Sequence, residues 1–179
     1  MNVARLRSTL YEMIKEQQIK LGFAEETVRL YFPKDSFDKL LGLSREASKE
    51  ERREAIALFK EMVKAELGNI KVTYKDERFC IGVSAKGSCY IHEHVLEPPF
   101  LVDLIHLFQQ HDITIGDVKQ VFDQTERSYI CEKQVDGEFD YLIHFEDSKE
   151  DPYYYCIKFD EGHASYHRFH QFDVASILE

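Results

Sequence analysis

Long hydrophobic runs are missing from this sequence. Its most apolar window, Phe100 to Phe108, is broken by Asp103 and His106, and it is far too short to span a bilayer. The start, MNVARLRSTLYEM, carries charge early and has no apolar stretch, which predicts no secretory signal. Cysteine is sparse: Cys80, Cys89, Cys131 and Cys156 form no CxxC pair. Wide spacing without a signal reads as reduced thiols and a cytoplasmic location. Glycine numbers 8 and proline 4 in 179 residues, which excludes collagen-like and low-complexity classes. Basic charge is scarce after residue 90. Residues 91–179 hold 6 Lys/Arg against 19 Asp/Glu, a net of −13, while residues 1–90 hold 17 against 14, a net of +3. An acidic second half argues against nucleic-acid binding, since phosphate contacts need a basic face, and against anionic membranes. Histidine is absent from the first 91 residues, and all 8 lie between His92 and His170.

Several motifs are missing as well. There is no P-loop, GxGxxG, HExxH or EF-hand loop. The run Gly82-Val83-Ser84-Ala85-Lys86-Gly87 is not a GxSxG elbow. This leans away from an enzyme and leaves no cofactor to expect from a motif.

What is present is enough apolar residue, 44%, for a chain of this length to bury about two-thirds of its unfolded surface. No disulfide or structural metal is needed for stability. Val3, Leu6, Leu10, Met13, Ile14 and Leu21 recur at helical spacing before Gly22, which predicts a helix over 3–21. Thr27–Phe32 alternates and predicts a short strand, and Asp35 and Ser36 are set to cap a short helix ending near Gly42. Ser48 with Glu51 forms a capping box. It opens a long helix whose inner face reads Ala55, Ile56, Phe59, Met62, Val63, Leu67, ending at Gly68.

The period then changes to two. Ile70–Tyr74 and Phe79–Val83 predict a hairpin, and Cys89–Val95 a third strand after a turn at Gly87. Pro99 starts a helix to about residue 111, and Thr114 caps another over 115–124. Four strands follow as an antiparallel meander over 127–170: Arg127–Val135, Glu138–Glu146, Pro152–Phe159 and His163–His170. Asp136-Gly137 and Asp160-Glu161-Gly162 are the turns, and Phe139, Tyr141, Ile143 and Phe145 are expected on one buried face. The expected class is α+β, N-terminal helices packed on antiparallel sheet with two helices inserted between β segments. It is expected as one domain over 1–179: helical 1–68, β hairpin region 70–95, helices 99–124, β meander 127–170.

Three segments, EQQIKLGFAEETVRLYFP (16–33), CYIHEHV (89–95) and DGEFDYLIHFED (136–147), with YHRF (166–169) near the end, resemble an uncharacterised bacterial family of about 180 residues. That family is known only as a domain of unknown function. The resemblance covers nearly the whole chain and implies a bacterial, cytosolic protein, with no activity to carry over.

Two constellations carry chemistry. His92 and His94, as i and i+2 on a strand, would share a face and chelate one divalent transition metal. His144 and His167 could join them if the strands converge, with Asp140 and Glu146 as nearby acids. A Cys156–His167 dyad can be drawn, but no spacing selects it. The second constellation is an acidic partner face, Asp140, Glu146, Asp147 and Glu150. The readings that follow are a cytosolic binding or accessory protein without catalysis that meets a basic protein partner, and, as the alternative, a metal-dependent hydrolase-like enzyme built around His92 and His94. The oligomeric state is not encoded in any motif.

Overall fold

The computed structural model describes residues 2–176. The chain divides into two compact units, Met1–Glu97 and Pro98–Glu179. The class is α+β, with helices and two antiparallel sheets.

The first unit holds α1 (Ala4–Leu21), β1 (Thr27–Pro33), α2 (Lys34–Leu40), α3 (Lys49–Leu67), β2 (Lys71–Lys75), β3 (Arg78–Ser84) and α4 (Ala85–His94). α1 stops where expected. Gly22 takes φ 79, and its N–H donates to the Gln18 carbonyl, the left-handed C-cap that glycine allows without a Cβ clash. The sheet order is β1-β3-β2. Alternation buries Val28, Leu30 and Phe32 against Phe79, Ile81 and Val83.

α3 opens on the capping box: Ser48 Oγ accepts from the Glu51 N–H, and the Glu51 carboxylate accepts from the Ser48 N–H. Its inner line is Ala55, Phe59, Val63 and Leu67, all four fully buried. Met62, expected inward, is 42% exposed. A line advancing four residues at a time leaves position 62 about 100° behind Val63. The expected cap of α2 also differs: Pro33 occupies the N-cap position and Asp35 sits in the first turn without capping. Asp38 of α2 is spent instead on Arg52 of α3, which donates Nε to Oδ1 at 2.6 Å and a terminal N–H to Oδ2 at 2.7 Å.

The largest departure is Cys89–Val95, which is not a strand. It lies within α4, where Gly87, Ser88 and Ile91 are buried at helical spacing. Gly87 does not make a turn. A Cβ there would stand 2.5 Å from Val83 Cγ1 and 3.0 Å from the Leu67 carbonyl oxygen, so glycine lets α4 lie directly against the end of α3.

The second unit holds α5 (Pro99–Phe108), α6 (Ile115–Asp123), β4 (Tyr129–Lys133), β5 (Tyr141–Phe145), β6 (Tyr153–Asp160), β7 (His163–His170) and a short 3-10 helix, Gln171–Ser176. The meander is as expected, in order β4-β5-β6-β7. α6 starts on a second capping box, Thr114 with Asp117. Gly162, at φ 73, closes the β6–β7 turn.

The β4–β5 connection differs from expectation. Lys133 pairs with Tyr141, so the loop spans 134–140 rather than two residues. A tight Asp-Gly hairpin turn needs positive φ at both positions, and neither Asp136 nor Gly137 adopts it. Phe139 therefore leaves the face of Tyr141, Ile143 and Phe145 and packs with Leu142 and Cys156 on the other side. Both helices cover the first of these faces. Phe100 of α5 meets Phe145 and Tyr155 edge-on, Phe108 meets Tyr166, and Phe122 of α6 packs on Tyr129, Phe145 and Tyr155.

Candidate functional site

Turning residues 89–95 into helix changes what His92 and His94 can do. On a helix, i and i+2 stand about 200° apart, so the two imidazoles do not share a face and the chelate drawn for a strand is lost. His94 Nδ1 lies 3.0 Å from the Tyr90 carbonyl oxygen, and its ring stacks on Tyr90 at 4.5 Å. The His92 backbone carbonyl accepts from Lys15 Nζ at 3.0 Å. Among the described residues, no three His, Cys, Asp or Glu side chains come together as a metal-holding group.

Around α4 the first unit instead assembles a polar seam. Glu66 of α3 accepts from Arg7 of α1 at 2.7 and 2.8 Å, from the Tyr11 hydroxyl, and from the Tyr90 hydroxyl at 3.2 Å. The Arg7 guanidinium also lies over the Tyr11 ring at 4.4 Å. The Tyr11 hydrogen bond, then Arg7, hold the Glu66 carboxyl below its usual range. Burial, then Glu66, pushes the Tyr11 hydroxyl well up. One and two turns along α1, Lys15 is 3% exposed and Gln18 likewise 3%. Gln18 donates to the Ser88 carbonyl at 2.9 Å, while its own carbonyl oxygen is buried without a partner. Each donor here is matched to an acceptor on a neighbouring helix, so the seam braces α1, α3 and α4.

The second unit places His144 and His167 on its helix-free sheet face. Register sets two rows across the strands. One runs Ile130, His144, Tyr154, Phe169. The other runs Glu132, Leu142, Cys156, His167. His144 and His167 belong to different rows and are separated by β6, about 10 Å or more apart. Each meets aromatic rings instead: His144 lies 4.4 Å from Tyr154, and His167 lies 5.7 Å from Phe139. Cys156 and His167 are true cross-strand partners, yet burial, then the Glu138 charge, pushes the Cys156 thiol up to about 12. A thiol so placed is not a nucleophile at neutral pH. His163, also on this face by register, contacts His111 edge-on at 4.7 Å.

The four acidic residues do not form one patch. Asp140 precedes β5, and its carboxylate accepts from the Phe159 N–H at 2.7 Å, closing the end of β6. Glu146, Asp147 and Glu150 follow the other end of β5. There Asp147 accepts from the Lys149 N–H at 3.1 Å, and Glu150 lies 3.8 Å from Arg127.

Residues 3–178 match the family model DUF3877, described as "Domain of unknown function, E. rectale Gene description". The chain belongs to this family. The match takes in every segment on which the sequence resemblance rests, and the family brings no activity with it. Searches of curated proteins and of solved structures each found no significant match.

In this family member, sequence reasoning missed the seam on Glu66 and the aromatic face around Leu142 and Cys156. A signal for the first was present. Arg7, Tyr11, Lys15 and Gln18 recur at helical spacing, a polar stripe beside the apolar one, though nothing in it names the partner on α3. The second could be read only once the β4–β5 register moved Phe139 across the sheet.

Proposed function

We propose that this chain is a non-catalytic binding or accessory protein of the bacterial cytoplasm, and that the helix-free face of the second sheet is its contact surface. The supporting observation is the composition of that face. An antiparallel sheet with helices on one side ordinarily turns polar residues to the other. Here the other side carries Phe139, Tyr154, Phe169, His144 and His167 around a floor of Leu142 and Cys156. Ile130 is 39% exposed at its edge, and His167 is exposed. Aromatic residues at a solvent-reached patch are the composition of an interaction surface. All four cysteines are free thiols, which fits a reducing compartment.

Site-directed photo-crosslinking in bacterial cells tests the reading. A photoreactive amino acid is placed at His167, and as a control at Arg29 on the sheet of the first unit. One adduct of defined mass from position 167 and none from position 29 is expected. No adduct, or the same adducts from both positions, would remove the basis for a contact surface here.

A further inference from the structure

The aromatic face has a charge as well as a shape. Phe139, His167 and Phe169 form a triangle of rings, with centroids 5.7, 6.0 and 6.3 Å apart. A cation resting over its centre would lie within about 6 Å of all three rings, the range of cation–π attraction. Two carboxylates share its sheet face by register. Glu132 stands in the Leu142–Cys156–His167 row and Asp160 pairs with His163. Glu138 directly precedes Phe139 of the triangle in the chain, and its charge acts on the Cys156 thiol. By register one cation, Lys158, shares this face. The unit as a whole is acidic: residues 98–179 hold 6 Lys/Arg against 17 Asp/Glu, a net of −11. The second ring group, His144 with Tyr154, lies in the adjoining row. Two ring groups on one open sheet fit successive side chains of a polypeptide better than a single small amine.

We propose, on the basis of the contact surface argued above, that its partner is a basic polypeptide. An arginine or lysine side chain would rest on the Phe139–His167–Phe169 triangle, with Glu138 as its counter-charge. The ring faces supply the directional attraction, and the carboxylates supply steering and exclude acidic partners.

The test titrates a hexa-arginine peptide into the full chain at about 0.15 M salt, with hexa-glutamate as the control. Phe169→Leu, which keeps apolar volume and removes the ring, and Glu138→Gln are each expected to weaken hexa-arginine binding about two- to thirty-fold. Glu146→Gln, beyond the other end of β5, is expected to leave it unchanged. Thermal melts check that each variant folds. Hexa-glutamate should not bind. If Glu146→Gln weakens binding as much as Glu138→Gln while Phe169→Leu does nothing, attraction is diffuse and the proposal falls. It also falls if hexa-arginine does not bind at all. The crosslinking experiment is independent of charge. An adduct at position 167 with a protein that is not basic would overturn this inference and leave the contact surface standing.

Discussion

Gly87 on α4 faces Leu67 at the end of α3 across a gap that admits no side chain. A Cβ at position 87 would sit 3.0 Å from the Leu67 carbonyl oxygen and 3.1 Å from its Cα, both backbone atoms that cannot step aside. Gly87→Ala is therefore expected to destabilise the chain. Overpacking costs about 1–3 kcal/mol and outweighs the roughly 1 kcal/mol of helix propensity that alanine brings. Gly116→Ala on α6, where a Cβ meets only Thr114 Oγ1 at 3.4 Å, is expected to be neutral or stabilising. Thermal denaturation of the two variants side by side checks this. An unchanged midpoint for Gly87→Ala would mean that α4 is not packed so closely.

Asp38 and Arg52 form a two-pronged ion pair with side chains 3% and 11% exposed. Removing one partner strands the other charge. Arg52→Leu is expected to cost about 3–5 kcal/mol in urea denaturation, with Asp38→Leu similar in sign. The double variant is expected to cost much less than the two single losses together, because the penalty belongs to the unpaired charge. Additive losses would show that the pair does not act as a unit.

Glu66 couples stability to acid. Its folded pKa is depressed, first by the Tyr11 hydrogen bond and then by Arg7. A depressed carboxylate contributes stability that is complete above the unfolded value near 4.5. That contribution fades as pH falls through the folded value, when the protonated group can no longer hold its donors. Tyr11 acts at the other end: its raised pKa lets stability fall as pH rises above the ordinary tyrosine value of 10.0. Unfolding followed against pH for the parent and Glu66→Gln is expected to show a shallower acid slope in the variant. Parallel slopes would assign the acid sensitivity to other carboxylates.

Thiol labelling separates the four cysteines by burial. Cys89 is exposed, Cys80 and Cys131 are intermediate, and Cys156 is buried, with its pKa pushed up to about 12. A thiol reagent at neutral pH is expected to modify Cys89 first and Cys156 only on unfolding. Mass spectrometry of peptides from a labelling time course reads the order. Early modification of Cys156 in folded protein would contradict the closed Leu142–Cys156 floor.

Local signals specified much of this protein. Gly22 and the Ser48–Glu51 and Thr114–Asp117 boxes mark helix ends through hydrogen bonds that span three or four residues. Such ends are written in neighbouring residues and need no partner from elsewhere. The order of the meander was legible because strands consecutive in the chain commonly pair as neighbours. Residues 85–94 were not legible. The sequence Ala-Lys-Gly-Ser-Cys-Tyr-Ile-His-Glu-His serves strand and helix alike, and in the fold it is a helix whose Gly87 packs against Leu67 and Val83. That one outcome separates His92 from His94 and removes the two-histidine chelate. The register of β4 on β5 was likewise set by tertiary contact. With no positive φ at Asp136-Gly137, the loop lengthened and Phe139 crossed to the face where Leu142 and Cys156 needed cover. The division after Glu97 falls close to the change in charge and histidine content near residue 90, but no linker sequence marks it. Capping and alternation are properties of neighbours in the chain, whereas a close glycine contact, a strand register and the partners of Glu66 depend on residues tens of positions apart, and only the folded chain brings those together.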